Sequence, residues 1–175
     1  FSPDAKLTRA QTLVMLMRAY GIAPDENPAD NFSDAGNAYY KGYLAAARRL
    51  GISAGVGNNL FAPNNEVSRQ EMFVLLLNTL RAIGITPQVN TNKNLTDFTD
   101  SGDIAPWARD AMTQLVAAGI ISGSGGKLMP LEGSTRAQNA QVIYRLFLNN
   151  TQRPVSFAQA PVEFIPRYAF LTLRD

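Results

Sequence analysis

Apolar residues recur with helical spacing in three stretches of the chain that begin alike. The stretches start at Thr8, Ser68 and Thr135, each followed by an arginine and then, three residues after the start, by Gln or Glu. A Thr or Ser with Gln or Glu at that distance predicts a capping box at each start. Apolar positions three and four residues apart predict an amphipathic helix with one buried stripe. The matched apolar sets are Leu13, Phe73 and Ala140; Leu16, Leu76 and Ile143; Met17, Leu77 and Tyr144; and Tyr20, Leu80 and Phe147.

A second pattern recurs between these stretches. Each copy has a Phe-x-Asp segment, an aromatic residue, a helix of about three turns and a glycine-rich loop. The matched positions are Phe32 and Phe98, Asp34 and Asp100, Tyr39 and Trp107, and Gly51 and Gly119. The short helices carry apolar residues on one face, namely Leu44, Ala47 and Leu50 in one copy and Met112, Leu115 and Ala118 in the other. The sequence therefore predicts an all-α fold of tandem helix-loop-helix repeats.

Composition narrows the range of functions. The 175-residue chain is 46% hydrophobic and can bury a core, and its net charge of +2 does not indicate a nucleic-acid partner. The absence of Cys and His disfavours thiol chemistry, most general acid–base chemistry and transition-metal binding, so we expect no cofactor and no metal. No apolar run reaches the roughly 18 residues of a membrane span, so no membrane-spanning segment is expected.

The order of these motifs resembles the S-layer homology domain family. The segments that carry the resemblance read FSD…GI…G…LFAPNNEVSRQE and FTD…W…GI…G…STRAQ, and they match the family's Thr-Arg-Ala-Glu motif at a helix start. The resemblance covers residues 1 to about 150. It implies three tandem repeats in a pseudo-threefold bundle, with the motif helices at the centre, the short helices outside and grooves between repeats.

The repeats divide the chain into five predicted segments. The first repeat lacks an upstream outer helix, so we expect its groove to be incomplete. The predicted segments are the C-terminal half of repeat 1 (1–28), repeat 2 (29–86), a linker (87–96), repeat 3 (97–150) and an extended tail or the start of a further domain (151–175).

The resemblance also implies a function. Domains of this family attach larger surface proteins to the bacterial envelope, outside the cell, by holding a secondary cell-wall polysaccharide in their grooves, typically one with a pyruvylated amino sugar. Two alternatives stay open: protein–protein assembly of an envelope lattice, and attachment of an outer-membrane protein to a peptidoglycan-linked polymer. Catalysis would fall to Asp97 and Asp100, and nothing marks this pair as a hydrolytic site.

Three arginines are the first candidate binding residues. Arg9, Arg69 and Arg136 directly follow the three helix caps, where the positive end of the helix dipole disfavours a cation. A ligand carboxylate would compensate such an arginine and accept a bidentate pair of hydrogen bonds. The alternative is structural, with each arginine paired to an acid such as Asp34 or Asp100. We rank Arg69 and Arg136 ahead of Arg9, because Arg9 belongs to the incomplete repeat.

Aspartates, aromatic residues and loop glycines complete the candidate set. Asp34 and Asp100 would fix sugar hydroxyls, and Tyr39 and Trp107 would stack on sugar faces. The aromatic rings could instead anchor the outer helices. Gly55 and Gly123 would let the backbone approach a ligand at positive φ, or would simply end the helices. The segment DFTDSGD at 97–103 lacks the pattern of a calcium loop, and we expect its Phe-x-Asp part to cap the outer helix.

Overall fold

A computed structural model of the chain describes the backbone of residues 4–150 and the side chains of residues 4–146. This part is helical, as predicted, with isolated antiparallel bridges in place of a sheet. The α-helices are α1 (Arg9–Ala19), α2 (Lys41–Arg49), α3 (Arg69–Ala82), α4 (Arg109–Ala117) and α5 (Arg136–Asn150). Three short 3-10 turns precede α4, at Leu95–Asp97, Ser101–Asp103 and Pro106–Ala108. The predicted tail, 151–175, lies outside the described residues, and the predicted segment boundaries stay predictions.

The three motif helices α1, α3 and α5 begin with the predicted capping boxes. In α1, the Gln11 N–H donates to Thr8 Oγ1 and the Thr8 N–H donates back to Gln11 Oε1. Glu71 and Gln138 make the same reciprocal bonds with the cap residues of α3 and α5. Each box satisfies backbone donors that the first helical turn leaves without partners. The local sequence is therefore sufficient to place all three helix starts.

The residues just before these caps join the three repeats in a ring. The Val67 N–H donates to the Leu7 carbonyl at 3.0 Å, the Ser134 N–H to Val67 at 2.9 Å, and the Leu7 N–H to Ser134 at 3.1 Å. All three residues are buried. The three helix starts are thus held around one closed set of hydrogen bonds. A pseudo-threefold arrangement of the whole bundle remains a prediction, which this ring supports.

The outer helices pack on the motif helices. Helix α2 lies against α1, and α4 lies against α3, while α1 also contacts α3 and α5. The predicted apolar face of α4 is buried, as are Leu44 and Ala47 of α2. The prediction was wrong for Leu50, the C-cap residue of α2, which is 36% exposed, whereas the C-cap residue of α4, Ala118, is buried.

Helix α5 departs from the buried stripe that the repeat alignment predicts. Ala140 and Tyr144 are exposed, and Tyr144 is 62% exposed, although the matched residues of α1 and α3 are buried. Among the side chains of α5 that the structure describes, the buried ones are instead Asn139, Val142 and Leu146. Their spacing follows a narrow stripe, which fits a helix that contacts α1 on one side. Phe147, the last member of the predicted stripe, lies outside the described side chains.

Candidate functional site

The junctions between repeats are built around two equivalent turns, at residues 61–63 and 128–130. In the first, the N–H groups of Phe61 and Ala62 donate to the two carboxylate oxygens of Asp34, at 2.9 and 2.8 Å. The carboxylate holds Ala62 at a φ of 56°, which is rare for a residue other than glycine. Such backbone strain persists only where surrounding contacts enforce it.

The second turn repeats this arrangement with Asp100. The N–H groups of Leu128 and Met129 donate to its carboxylate at 2.8 and 2.7 Å, and Met129 has a φ of 53°. Partial burial acts to raise the pKa of Asp100, yet these backbone hydrogen bonds hold it below its usual value.

The two aspartates therefore brace loops, which corrects one expectation from the sequence. Asp100 does not cap its outer helix as predicted, since the N-cap residue of α4 is Ala108 and no side chain caps it. The strong backbone bonds of the two aspartates occupy their carboxylates. Their binding to sugar hydroxyls stays a prediction.

The first motif arginine, Arg9, binds residues of the next repeat. Its Nε donates to the Phe61 carbonyl at 2.8 Å, its Nη1 lies 2.6 Å from Glu71 Oε1, and its guanidinium lies 4.9 Å from the centre of the Phe61 ring. The alternative interpretation, an arginine that pairs with an acid, thus describes Arg9, although the acid is Glu71 and not Asp34. A ligand carboxylate could reach the fork of Arg9 only by competing with Glu71.

Arg69 makes the equivalent contact at the second junction. Its Nε donates to the Leu128 carbonyl at 3.0 Å, and its guanidinium lies 5.5 Å from the centre of the Phe73 ring. Burial lowers the pKa of Arg69, although the negative charges of Glu132 and Asp100 act to raise it. Both arginines are at most 9% exposed. Each therefore ties a motif helix to the turn of the following repeat.

The backbone N–H of Arg136 makes the same kind of hydrogen bond as those of the other two motif arginines. Its N–H donates to the Ala5 carbonyl at 3.0 Å, as the N–H of Arg9 donates to Asn65 and that of Arg69 to Glu132. Its side chain is half-buried. The position of Arg136 is thus equivalent to that of the other two arginines, and a binding role for it stays a prediction.

One open groove of about 480 Å³ lies at the Arg9 junction. Its walls come from the start of α1, the middle of α3, the loop after α2 and the 3-10 turn that precedes α4. The polar residues that line it are Arg9, Ser53, Glu71 and Asn78, and the other lining residues are Ile52, Ala54, Gly55, Val56, Val74, Leu75 and Trp107. The groove thus combines an aromatic face, a charged pair and several hydrogen-bonding groups.

The two predicted aromatic residues differ in their surroundings. Trp107 is 58% exposed and lines the groove from the 3-10 turn before α4. Tyr39 is 61% exposed, and its ring makes an edge contact with Tyr40 at 5.2 Å between centroids. Tyr39 is not among the residues that line this groove. Exposure of this degree does not fit rings that anchor a helix by burial, so the anchor interpretation was wrong for both.

Glycine is required at the two loop positions because there is no room for a Cβ atom and because φ is positive. Gly55 has a φ of 81°, and a Cβ there would lie 2.3 Å from the Leu60 carbonyl oxygen and 2.7 Å from the Phe32 ring. Gly123 has a φ of 66°, and its Cβ would meet Lys127 and Phe98 at 2.6 and 2.7 Å. The predicted positive φ angles are confirmed. Gly55 also lines the groove, whereas a ligand contact at Gly123 stays a prediction.

Three polar residues of the groove were not among the candidates predicted from the sequence, namely Ser53, Glu71 and Asn78. Only Glu71 gave a signal, because it is the one glutamate at a position where the other two repeats have glutamine. Asn78 lies on α3 and donates to the Ile52 carbonyl at 3.0 Å, which fixes the loop after α2. Its role depends on packing between repeats, which no local pattern encodes.

Among the side chains that the structure describes, no group of three or more acidic residues forms a candidate metal site. No described helix has both the length and the apolar character needed to cross a membrane.

Comparison with known proteins matches this chain to one family and to parts of several larger proteins. The family described as the S-layer homology domain matches residues 31–73 and 97–138. The chain is 30% identical over 148 residues to an amylopullulanase of Thermoanaerobacterium thermosulfurigenes, covering 83% of this chain and 8% of that protein. It is 29% identical over 145 residues to the S-layer protein sap of Bacillus anthracis, covering 82% and 17%. It is 30% identical over 148 residues to the exoglucanase XynX of Acetivibrio thermocellus, covering 83% and 13%. The chain thus spans less than a fifth of the length of these relatives.

Proposed function

This chain contains two segments of the S-layer homology domain family, and on that premise we propose that it is a non-catalytic module that anchors a larger surface protein to the bacterial cell wall. The relatives include S-layer proteins and polysaccharide-degrading enzymes, and the same stretch is a small part of each. An attachment module common to both kinds of protein explains this distribution. Its place is extracellular, in the cell envelope.

The ligand that we propose is a wall polysaccharide, and the groove at the Arg9 junction is its principal contact. The observation that carries this proposal is Trp107, which is largely exposed at the edge of a groove lined by Ser53 and Asn78. An exposed aromatic face suits the apolar C–H face of a sugar ring, and neighbouring polar groups suit its hydroxyls. Exposure of a large indole to water has no structural benefit for the bundle itself.

The finer part of the proposal concerns the acidic group of the polymer. A pyruvyl ketal carries one carboxylate, and a motif arginine offers a planar pair of donors. Arg69 and Arg136 are the candidates for this contact. The lowered pKa of Arg69 reflects burial, and a bound anion would offset that penalty.

Calorimetric titration with purified wall polysaccharide, with and without its ketal groups, tests this function. We expect saturable binding that Trp107→Ala weakens at least about tenfold, the effect of roughly 1.4 kcal/mol. Tyr144→Ala is the matched control, because Tyr144 is equally exposed but does not line the groove. Equal loss with both variants, or no binding by the folded chain, would refute polysaccharide binding in this groove. Self-association of the chain in place of binding would favour the lattice-assembly alternative.

A further inference from the structure

The residue ten positions after the helix cap differs between α3 and α5, where it is Asn78 and Arg145. Asn78 lines the open groove, and its side-chain amide donates to the Ile52 carbonyl in the loop after α2. Arg145 reaches the corresponding loop after α4, where its Nη1 donates to Ser122 Oγ at 3.0 Å. The two side chains therefore hold equivalent loops, but Arg145 also brings a positive charge to its junction.

The other contacts of the two junctions are equivalent. In each junction, the Nε of the motif arginine donates to the carbonyl of the first residue of the turn. In each, an aspartate accepts from backbone N–H groups of the same turn. Arg9 and Asn78 line one groove at the first junction. Arg69 and Arg145 hold the equivalent positions at the second.

Both arginines of the second junction have donors that the protein does not use. Arg69 is 9% exposed, and of its guanidinium nitrogens only Nε has a hydrogen-bond partner among the described residues. Arg145 is half-buried, and among the same residues its guanidinium bonds only to Ser122. Of the acids that act on Arg69, Asp100 is bonded to the turn and Glu132 is exposed. The junction thus offers free donors from two permanently charged side chains.

We propose that Arg145 is a second anion-binding residue of the Arg69 junction. The inference rests on the proposed polysaccharide function and deepens it. Arg145 lies two helical turns, about 10 Å, beyond Gln138, which is equivalent to the Glu71 that contacts Arg9. Arg69 and Arg145 therefore contact different parts of a ligand. The junction selects a polymer segment with acidic groups on neighbouring sugar units, because each guanidinium pairs with one carboxylate.

Calorimetric titration of the full chain with wall polysaccharide, before and after removal of its pyruvyl ketals, tests the proposal at low and high salt. The test variant is Arg145→Asn, which gives α5 the residue that holds the equivalent loop in α3. Arg145→Lys retains the charge but not the planar fork. The control is Arg49→Asn, which removes an equal charge from an exposed pair with Asp25 on α2.

We expect the original chain and Arg49→Asn to prefer the polymer with ketals by at least about tenfold. Arg145→Asn should reduce this preference at least about fivefold and weaken its salt dependence, and Arg145→Lys should restore part of both. An unchanged preference in Arg145→Asn would overturn the proposal. An equal loss of affinity for both polymers would do the same, because it would show a structural role.

Failure of this inference is distinguishable from failure of the anchoring function. If the original chain binds both polymers equally well, the inference fails and anchoring through the polysaccharide stands. If the folded chain binds neither polymer, both fail.

Discussion

The contact between Arg9 and Glu71 predicts a specific energetic coupling between two repeats. The residues are 62 positions apart, and each also has a role within its own repeat or at its junction. A double-mutant cycle with Arg9→Met and Glu71→Gln isolates their interaction. Methionine keeps most of the apolar stem of the arginine, and glutamine keeps the capping box.

The expected magnitudes follow from the contacts. Two unit charges about 4 Å apart attract by about 4 kcal/mol at an effective dielectric constant near 20. Desolvation of the buried guanidinium offsets roughly half of this attraction, which leaves a coupling of about 2 kcal/mol. Arg9→Met should destabilise the chain by about 3 kcal/mol, because it also leaves the Phe61 carbonyl without its donor. Glu71→Gln alone should cost about 2 kcal/mol.

Urea unfolding followed by far-UV circular dichroism measures the four free energies of unfolding, since urea, unlike guanidinium, does not screen the ion pair. We expect the double variant to be about as stable as Arg9→Met alone. The exposed pair of Arg81 and Asp110, at 2.9 Å, is the control cycle and should show a coupling below about 1 kcal/mol. Additive effects of Arg9→Met and Glu71→Gln would refute a stabilising contact between Arg9 and Glu71, and so would a coupling no larger than that of the control.

Three further predictions concern the turns and the core. Thr12 is fully buried, and its hydroxyl has no hydrogen-bond partner among the described residues. Thr12→Val should therefore raise the free energy of unfolding in urea by about 1 kcal/mol. A loss of stability would mean that the hydroxyl is hydrogen-bonded. Gly55→Ala should destabilise the chain by at least about 2 kcal/mol more than Gly51→Ala, because a Cβ at Gly51 meets open space whereas one at Gly55 meets backbone; equal thermal shifts would contradict the steric argument. The folded-state pKa of Asp100 lies below its unfolded value of about 3.9, so its contribution to stability is complete above that pH and is lost as the pH falls through the folded pKa. Asp100→Asn should therefore lower stability near neutral pH and flatten its acid dependence, and an unchanged pH profile of urea unfolding would refute this role.

Local patterns predicted the features that depend on neighbouring residues. The three capping boxes and the positive φ angles of Gly55 and Gly123 involve short sequence distances or single residues, and the structure confirms them. The buried stripes of α1 and α3 also follow from helical spacing alone. Helix α5 repeats the spacing but contacts α1 along a narrower face, so Tyr144 is exposed.

The roles of the polar residues could not be predicted in this way, because their partners are distant in the chain. Asp34 and Asp100 bind backbone groups 27 to 29 residues away. Trp107 and Tyr39 have similar sequence surroundings, yet only Trp107 faces the groove formed with α1 and α3. Such contacts are fixed by how the repeats pack against one another, which the repeat alignment does not specify.

Co-sedimentation of the chain with purified cell walls of the source organism tests wall anchoring most directly. Walls would be compared before and after chemical extraction of their polysaccharide, with the peptidoglycan left intact. We expect the chain to pellet with intact walls, to remain in solution with extracted walls, and to be released from intact walls by added free polysaccharide. Equal pelleting with extracted walls, or no pelleting with intact ones, would contradict anchoring through the polysaccharide.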